Sequence, residues 1–202
     1  MTASTRDRAL AFDEPFAYVL MNARLEDHCS GCLRSVAVLA AADNDSAKER
    51  LKTCAGCSFA RYCSKTCQKF AWTRAGHRQE CKRLQASFPQ MPLTDVLMLS
   101  RVVDKLEAIA QLEGVDKFGW ERERRFSELL GHEQAQKANE GKMLHFDKVY
   151  AKFRNFRGLP QENSDNDDER ERFFSVFCKT WINSHCIHTS AGREIGIALD
   201  LD

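Results

Sequence analysis

Eight metal-binding side chains between residues 29 and 81 constrain this chain more than anything else in it. They read Cys29-x2-Cys32-x21-Cys54-x2-Cys57-x5-Cys63-x3-Cys67-x9-His77-x3-Cys81, and only Cys178 and Cys186 lie outside the run. Seven thiols and one imidazole suffice for two closed tetrahedral zinc sites. A C-x-x-C turn brings two sulfurs to one metal. The x3 gaps, Cys63/Cys67 and His77/Cys81, set two ligands one turn apart on one helix face. Ser64 is placed to cap a helix over residues 65–72 and so hold the first of these pairs. The four pairs can combine consecutively or alternately, and spacing leaves both open. A catalytic zinc keeps one position for water; eight ligands for two ions leave none. His28 adjoins Cys29 and reads as an ordinary exposed loop histidine, not a ligand.

A disulfide framework is the competing use of so many cysteines, but it belongs to small secreted domains. The first 20 residues carry Arg6, Asp7, Arg8, Asp13 and Glu14 and no apolar signal core. The longest apolar run, residues 36–42, falls far short of the ~18 needed to span a membrane. The expected setting is the cytoplasm, the nucleus or both. At 202 residues, 43% hydrophobic and 29% charged, the chain can bury a core of one or two domains.

Net charge is only +1, yet residues 48–83 hold ten basic side chains against Glu49 and Glu80. Thiolate clusters around Zn²⁺ are negative, so part of this excess balances them. The expectation is charge compensation on a solvated face, with nucleic-acid binding weak.

Beyond the cysteines, residues 92–112 read as an amphipathic helix. Thr94 is its N-cap, Val96, Leu99, Val103, Leu106 and Ala110 form the stripe, and Gly114 is the stop. Further helices are expected over 120–130 and 135–156. An acidic loop follows at 158–171, then another helical pattern through Phe173, Phe177 and Trp181 that continues to His185. A turn at Ala191-Gly192 and a strand through Ile195, Ile197 and Leu199 end the chain. Cys178 and Cys186 read as buried free thiols.

Residues 54–81, CAGCSFARYCSKTCQKFAWTRAGHRQEC, resemble the MYND zinc finger, including Tyr62 before Cys63, Gln68 after Cys67 and Trp72 before His77. The resemblance implies alternating pairs: Cys29, Cys32, Cys63 and Cys67 on one zinc, Cys54, Cys57, His77 and Cys81 on the other. Two departures stand out. The gap before Cys54 is long, so 34–53 is expected to be an inserted loop, and Trp72 to His77 is slightly long. As a family such fingers bind proline-rich peptides in extended form, which makes a non-enzymatic adaptor the alternative reading.

The flanks resemble the SET-and-MYND (SMYD-like) protein-lysine methyltransferases, in which the finger interrupts a SET domain. Residues 13–20 look like the end of the first SET piece and residues 92–112 like the start of the helical inter-SET region. Phe126 to His132, FSELLGH, is similar to the segment that touches the donor, S-adenosylmethionine. WINSHCIHTSAGREIGIAL, residues 181–199, looks like the stretch leading into the E-x-G-x-x-L strand. On this resemblance His132 and Asn183 would line the cofactor pocket, with helix-boundary and capping roles as the alternatives. Asn183-Ser184-His185-Cys186 has the composition of the family's N-H-S-C motif in the wrong order and is not that motif. The glycine-rich amino-terminal segment, N-H-S-C and the channel tyrosine are absent, so the expectation is a chain truncated at both ends, with no catalytic residue assignable.

The expected fold is a small zinc-stabilised finger, a mainly α-helical inter-SET region and the beginning of a β-rich SET core. Its expected divisions are 1–28 (SET remnant), 29–81 (finger), 85–157 (helical), 158–171 (acidic loop) and 172–202 (SET core). Histone tails are the partners this implies.

Overall fold

A computed structural model describes residues 15–43, 51–111, 125–160 and 167–201. Strand β1 (Ala17–Leu20) buries all four of its residues. It pairs antiparallel with β5 (Glu194–Leu199), Ala17 opposite Leu199 and Leu20 opposite Gly196. β4 (Ser184–His188) pairs on the far side of β5, giving the order β1-β5-β4. Gly196 is required by the close approach of β1: a Cβ there would stand 2.3 Å from the Val19 carbonyl oxygen. The turn between β4 and β5 is closed by Thr189 N–H donating to Arg193 O at 2.9 Å, with Gly192 at φ +74°.

The helical pattern expected to run on to His185 stops two residues earlier, at Asn183, where α7 (Asp167–Asn183) ends. The Asn183 amide donates to Lys179 O at 2.7 Å and the Ser184 hydroxyl to Thr180 O at 2.6 Å. Side chains thus satisfy the last carbonyls, and β5 offers the next residues a ladder instead.

Between β1 and the helical region lies the cysteine-rich unit. α1 (Val36–Asp43) and β2 (Lys52–Thr53) fall within the expected inserted loop 34–53, which is therefore partly regular. Its alanine-rich start favours helix, and Val38 N–H donates to the Ser35 hydroxyl at 3.2 Å; residues 44–50 lie outside the described ones. β2 pairs with β3 (Arg61–Tyr62). α2 (Lys65–Thr73) begins as expected at Ser64, whose hydroxyl accepts from Cys67 N at 3.1 Å. α3 (His77–Ser87) follows.

α4 (Thr94–Gln111) is the central helix, packed against β1, α3, α6 and α7. The expected stripe describes only part of it. Residues 96–100 and Val102 are all buried, because neighbours surround its first turns. Gly114, its expected stop, lies outside the described residues. The helix expected over 120–130 is reduced, from residue 125 onward, to one 3-10 turn, Phe126–Glu128. Gly131 and His132, at φ +49°, turn the chain away after it.

Residues 135–156 form two helices rather than one, α5 (Glu133–Lys137) and α6 (Glu140–Arg157). Asn139 breaks the run by capping α6, accepting from Lys142 N at 3.0 Å. The acidic segment is helical from Asp167. Asp167, Asp168 and Glu169 stand in the first turn of α7, where the dipole favours them. Phe146 of α6, fully buried, meets Phe174 and Phe177 edge-on at 4.8 and 5.3 Å and stacks on Tyr150 at 5.6 Å. These rings tie α6 to α7.

Candidate metal centres

Two groups of side chains converge in the cysteine-rich unit: Cys29, Cys32, Cys63 and Cys67 in one, Cys54, Cys57, His77 and Cys81 in the other. Within each, the donor atoms all lie within 4.8 Å of one another. The pairs therefore alternate, as the finger resemblance implied, and not consecutively.

In the first group the α2 cap sets Cys63 and Cys67 one turn apart, their sulfurs 3.5 Å from each other. Cys32 Sγ lies 3.7 Å from Cys63 Sγ. Backbone N–H groups of Gly31 and Cys63 donate to Cys29 Sγ at 3.4 and 3.3 Å. Hydrogen bonding from the Cys32 thiol, reinforced by these amides, draws the Cys29 thiol down to about 5 against the opposing effect of burial. Gly31 leaves no room for a side chain, since a Cβ would meet Cys67 O at 2.7 Å.

The second group is wholly buried. α3 presents His77 and Cys81; Cys54 Sγ stands 3.9 Å from Cys81 Sγ and 3.4 Å from His77 Nε2. Burial would raise the Cys54 thiol, but hydrogen bonds, His77's foremost, bring it down to about 6. Each site thus holds one thiol drawn toward thiolate, the form that binds metal, while the neighbouring thiols and burial push Cys32, Cys63 and Cys81 up.

The spacing fits zinc. Tetrahedral zinc with bonds of about 2.3 Å to sulfur places neighbouring sulfurs about 3.8 Å apart. The observed 3.5–3.9 Å matches that and excludes disulfides. Four soft donors per site leave no position for substrate, so such ions would hold the fold rather than catalyse.

Sequence reasoning missed what supports the second site. His77 Nδ1 faces Glu80 Oε1 at 3.3 Å, across one turn of α3. Glu80 is 1% exposed and takes a bidentate ion pair from Arg101 of α4 at 2.6 and 2.8 Å. Arg101 also donates to Tyr18 O in β1, and the Tyr18 hydroxyl donates to Gly31 O at 3.1 Å, beside the first site. Burial would raise the Glu80 carboxyl, but the Arg101 charge prevails and holds it at about 2. The His77-x-x-Glu80 spacing was the available signal, yet Glu80 read only as a minority charge in a basic run. Tyr62 and Trp72 complete the surroundings, edge-on to His77 at 5.8 and 5.9 Å.

Other expectations fare unevenly. His28 is not exposed: it is 4% accessible and sits 2.7 Å from Asp27 Oδ1, held by the His28–Ser35 bridge. It stays outside both groups. Cys178 is buried, its thiol pushed up to about 11 by that burial. Cys186, on the edge strand β4, is exposed rather than buried as expected.

His132 is the exposed residue before α5, and Asn183, besides capping α7, donates to Leu130 O at 3.0 Å. The structure thus brings segments 126–132 and 181–188 together. Of the basic residues, Arg83 is bound to Asp104 and Ser100, and Arg61 to Glu26. No helix among the described residues is long and apolar enough to cross a membrane.

Residues 22–81 match the MYND finger family. Along 92% of its length the chain is 28% identical to the histone-lysine N-methyltransferase SMYD3 of Homo sapiens, covering 38% of that protein. It is 26% identical to SET domain-containing protein 14 of Caenorhabditis elegans over 91% of its length and 37% of the relative's. With SET domain and MYND-type zinc finger protein 6 of Schizosaccharomyces pombe the figures are 27%, 76% and 28%. The chain spans less than two fifths of the length of each of these relatives.

Proposed function

We propose that this SMYD-like chain, with its MYND finger, is the zinc-stabilised scaffold of a protein-lysine methyltransferase. Cys29, Cys32, Cys63 and Cys67 hold one structural Zn²⁺; Cys54, Cys57, His77 and Cys81 hold the other. One observation carries the reading: β1, before the finger, pairs with β5, about 180 residues later. The finger and helices are thereby looped out of a single sheet, as expected of a SET core interrupted by a finger. Similarity to a histone-lysine methyltransferase over 92% of the chain supports the same role, with histone tails as substrates.

S-adenosylmethionine supplies a methyl group on a sulfonium, which a neutral lysine amine attacks in line. The Asn183–Leu130 hydrogen bond joins the two segments that resemble the donor-contacting ones, so His132 and Asn183 form one wall of the donor pocket. Both Asn183 amide hydrogens are spent on the Lys179 and Leu130 carbonyls. Asn183 therefore positions that wall, leaving its carbonyl oxygen for a ligand. The 202 residues contain no N-H-S-C run, and Tyr62 and Tyr150 are buried in the finger and the aromatic core. The catalytic core is incomplete without further groups.

The test is the 202-residue polypeptide loaded with zinc. By calorimetry it should show no saturable low-micromolar S-adenosylmethionine binding, and it should transfer no methyl to histones. Turnover lost in His132→Ala would show that the active site is complete within these residues.

A second reading, a peptide-docking adaptor, is favoured by Trp72, which is 41% exposed on the finger surface. Proline-rich peptides titrated against the wild type and Trp72→Ala distinguish it. Nucleic-acid contact would use Lys65, Lys69, Arg74 and Arg78, which are exposed. It should be weak and vanish at physiological salt.

A further inference from the structure

The two cysteine groups differ in how far they are open to solvent. All four donors of the second are buried, whereas in the first only Cys29 is, and Cys32, Cys63 and Cys67 are half-buried. The second is closed by its surroundings. The Tyr62 and Trp72 rings stand edge-on to His77, and Glu80 with Arg101 fills the space behind it. A Cβ on Gly56 would come within 3.0 Å of Cys81 Sγ. In the first group Cys63 Sγ has two sulfur neighbours, Cys67 Sγ at 3.5 Å and Cys32 Sγ at 3.7 Å. Thiol oxidation follows exposure and thiolate character, and metal ligation keeps sulfur as thiolate.

The first group is also tied to the sheet. The Tyr18 hydroxyl, on β1, donates to Gly31 O at 3.1 Å and lies 3.3 Å from Ser30 O, both within the Cys29–Cys32 turn. Ser30 N–H donates to Arg61 O at 2.7 Å, and its hydroxyl accepts from Arg61 N at 3.2 Å. This turn, β1 and β3 are thereby held as one unit. From the other side Arg101 reaches both Tyr18 O and Glu80, so the second group holds the same strand independently.

We propose that the first group is an oxidation site for hydrogen peroxide, which forms a disulfide between Cys63 and either Cys32 or Cys67 and so loosens β1 from β5 while the second group stays intact. The Cys63 thiolate attacks the peroxide and breaks its O–O bond, giving a sulfenic acid and hydroxide. The neighbouring thiolate attacks that sulfur, forms the S–S bond and expels a second hydroxide. Two thiolates thus lose two electrons, and with two protons the peroxide oxygens leave as two waters. A disulfide needs its sulfurs about 2.05 Å apart, so the 3.5–3.7 Å separation must close. The two donors that remain do not close a tetrahedral site, and the turn that Tyr18 grips loses its anchor. The proposal rests on the two-zinc reading above.

The test treats the zinc-loaded protein with hydrogen peroxide in the presence of a chromogenic zinc chelator, against a peroxide-free control. A Cys186→Ser background removes the exposed thiol outside both groups. One ion should be released first, roughly tenfold faster than the other, as the difference in exposure requires. Mass spectrometry after alkylation should then find Cys63 bonded to Cys32 or Cys67, with Cys54, Cys57 and Cys81 still alkylatable once the protein is denatured. At that stage amide hydrogen exchange at the paired residues Val19 and Ile197 should accelerate about tenfold, while exchange at Phe146 and Phe177 stays unchanged. Dithiothreitol with added zinc should reverse both effects. Tyr18→Phe, reduced and zinc-loaded, should already exchange faster at Val19 and gain little more on oxidation. Release of both ions at one rate, a disulfide within the second group, or unchanged exchange at Val19 and Ile197 after the first release would overturn this proposal alone. Fewer than two ions before oxidant is added would overturn the two-zinc reading and this proposal with it.

Discussion

The Glu80 carboxylate joins the His77 imidazole to the Arg101 guanidinium, with Arg101 donating at 2.6 and 2.8 Å from α4 and His77 Nδ1 at 3.3 Å. A carboxylate behind a metal-facing histidine fixes the ring's tautomer and orientation. Here it also fastens the finger to the helical region, because its second partner lies outside the finger.

Glu80→Gln therefore damages two things at once. It leaves the largely buried Arg101 charge uncompensated, which costs about 3–5 kcal/mol. It also loosens His77, lowering zinc affinity at the second site by roughly 10–100-fold. Urea denaturation and competitive zinc chelation measure the two effects. Loss of both ions together would contradict the separate sites.

Zinc content tests the alternating pairs directly. The protein should carry two ions, and chelation should unfold residues 29–81, since such sites contribute roughly 10–16 kcal/mol of binding energy to folding. Cys54→Ser should release one ion while Cys29 and Cys63 keep the other. A stoichiometry of one in the intact protein is incompatible with the assignment.

Gly196→Ala probes the β1–β5 register. The new Cβ would collide with the Val19 carbonyl, a backbone atom that moves only if β1 shifts. A loss of about 1–3 kcal/mol is expected. A neutral effect by chemical denaturation would mean that the strands do not pair in this register.

Asp95 gives a pH dependence remote from the zinc ligands. Burial raises its carboxyl in the folded state, and His145 opposes this only partly. A raised folded pKa contributes stability that is complete below the unfolded value of about 3.9 and is lost as pH rises through the folded value. Thermal unfolding of Asp95→Asn against the wild type should therefore show the difference moving in favour of Asn as pH rises above the unfolded value of about 3.9. A difference that is flat or moves the other way would mean that Asp95 is not desolvated.

The ligand set, the Ser64 cap and the terminal strand at β5 were legible because each is local. Ligand spacing, a cap and alternating apolar residues are written within a few consecutive positions. The single helix expected over 135–156 failed because a capping asparagine, Asn139, outweighed a continuous apolar pattern. The helix over 120–130 was lost, from Phe126 on, to a short turn ending at Gly131 and His132.

By itself the sequence determined that this chain gathers eight soft donors into a finger and carries helices after it, since coordination chemistry and helical periodicity act over short range. Spacing alone could not say how the ligand pairs group; that required the finger resemblance and then the fold. Only tertiary structure decided that β1 meets β5, that Glu80 and Arg101 neutralise each other in the interior, and that Arg101 reaches back to Tyr18 in β1. Those relations join residues tens to hundreds of positions apart. No local pattern encodes them, because they arise only when the core around α4 brings the segments together.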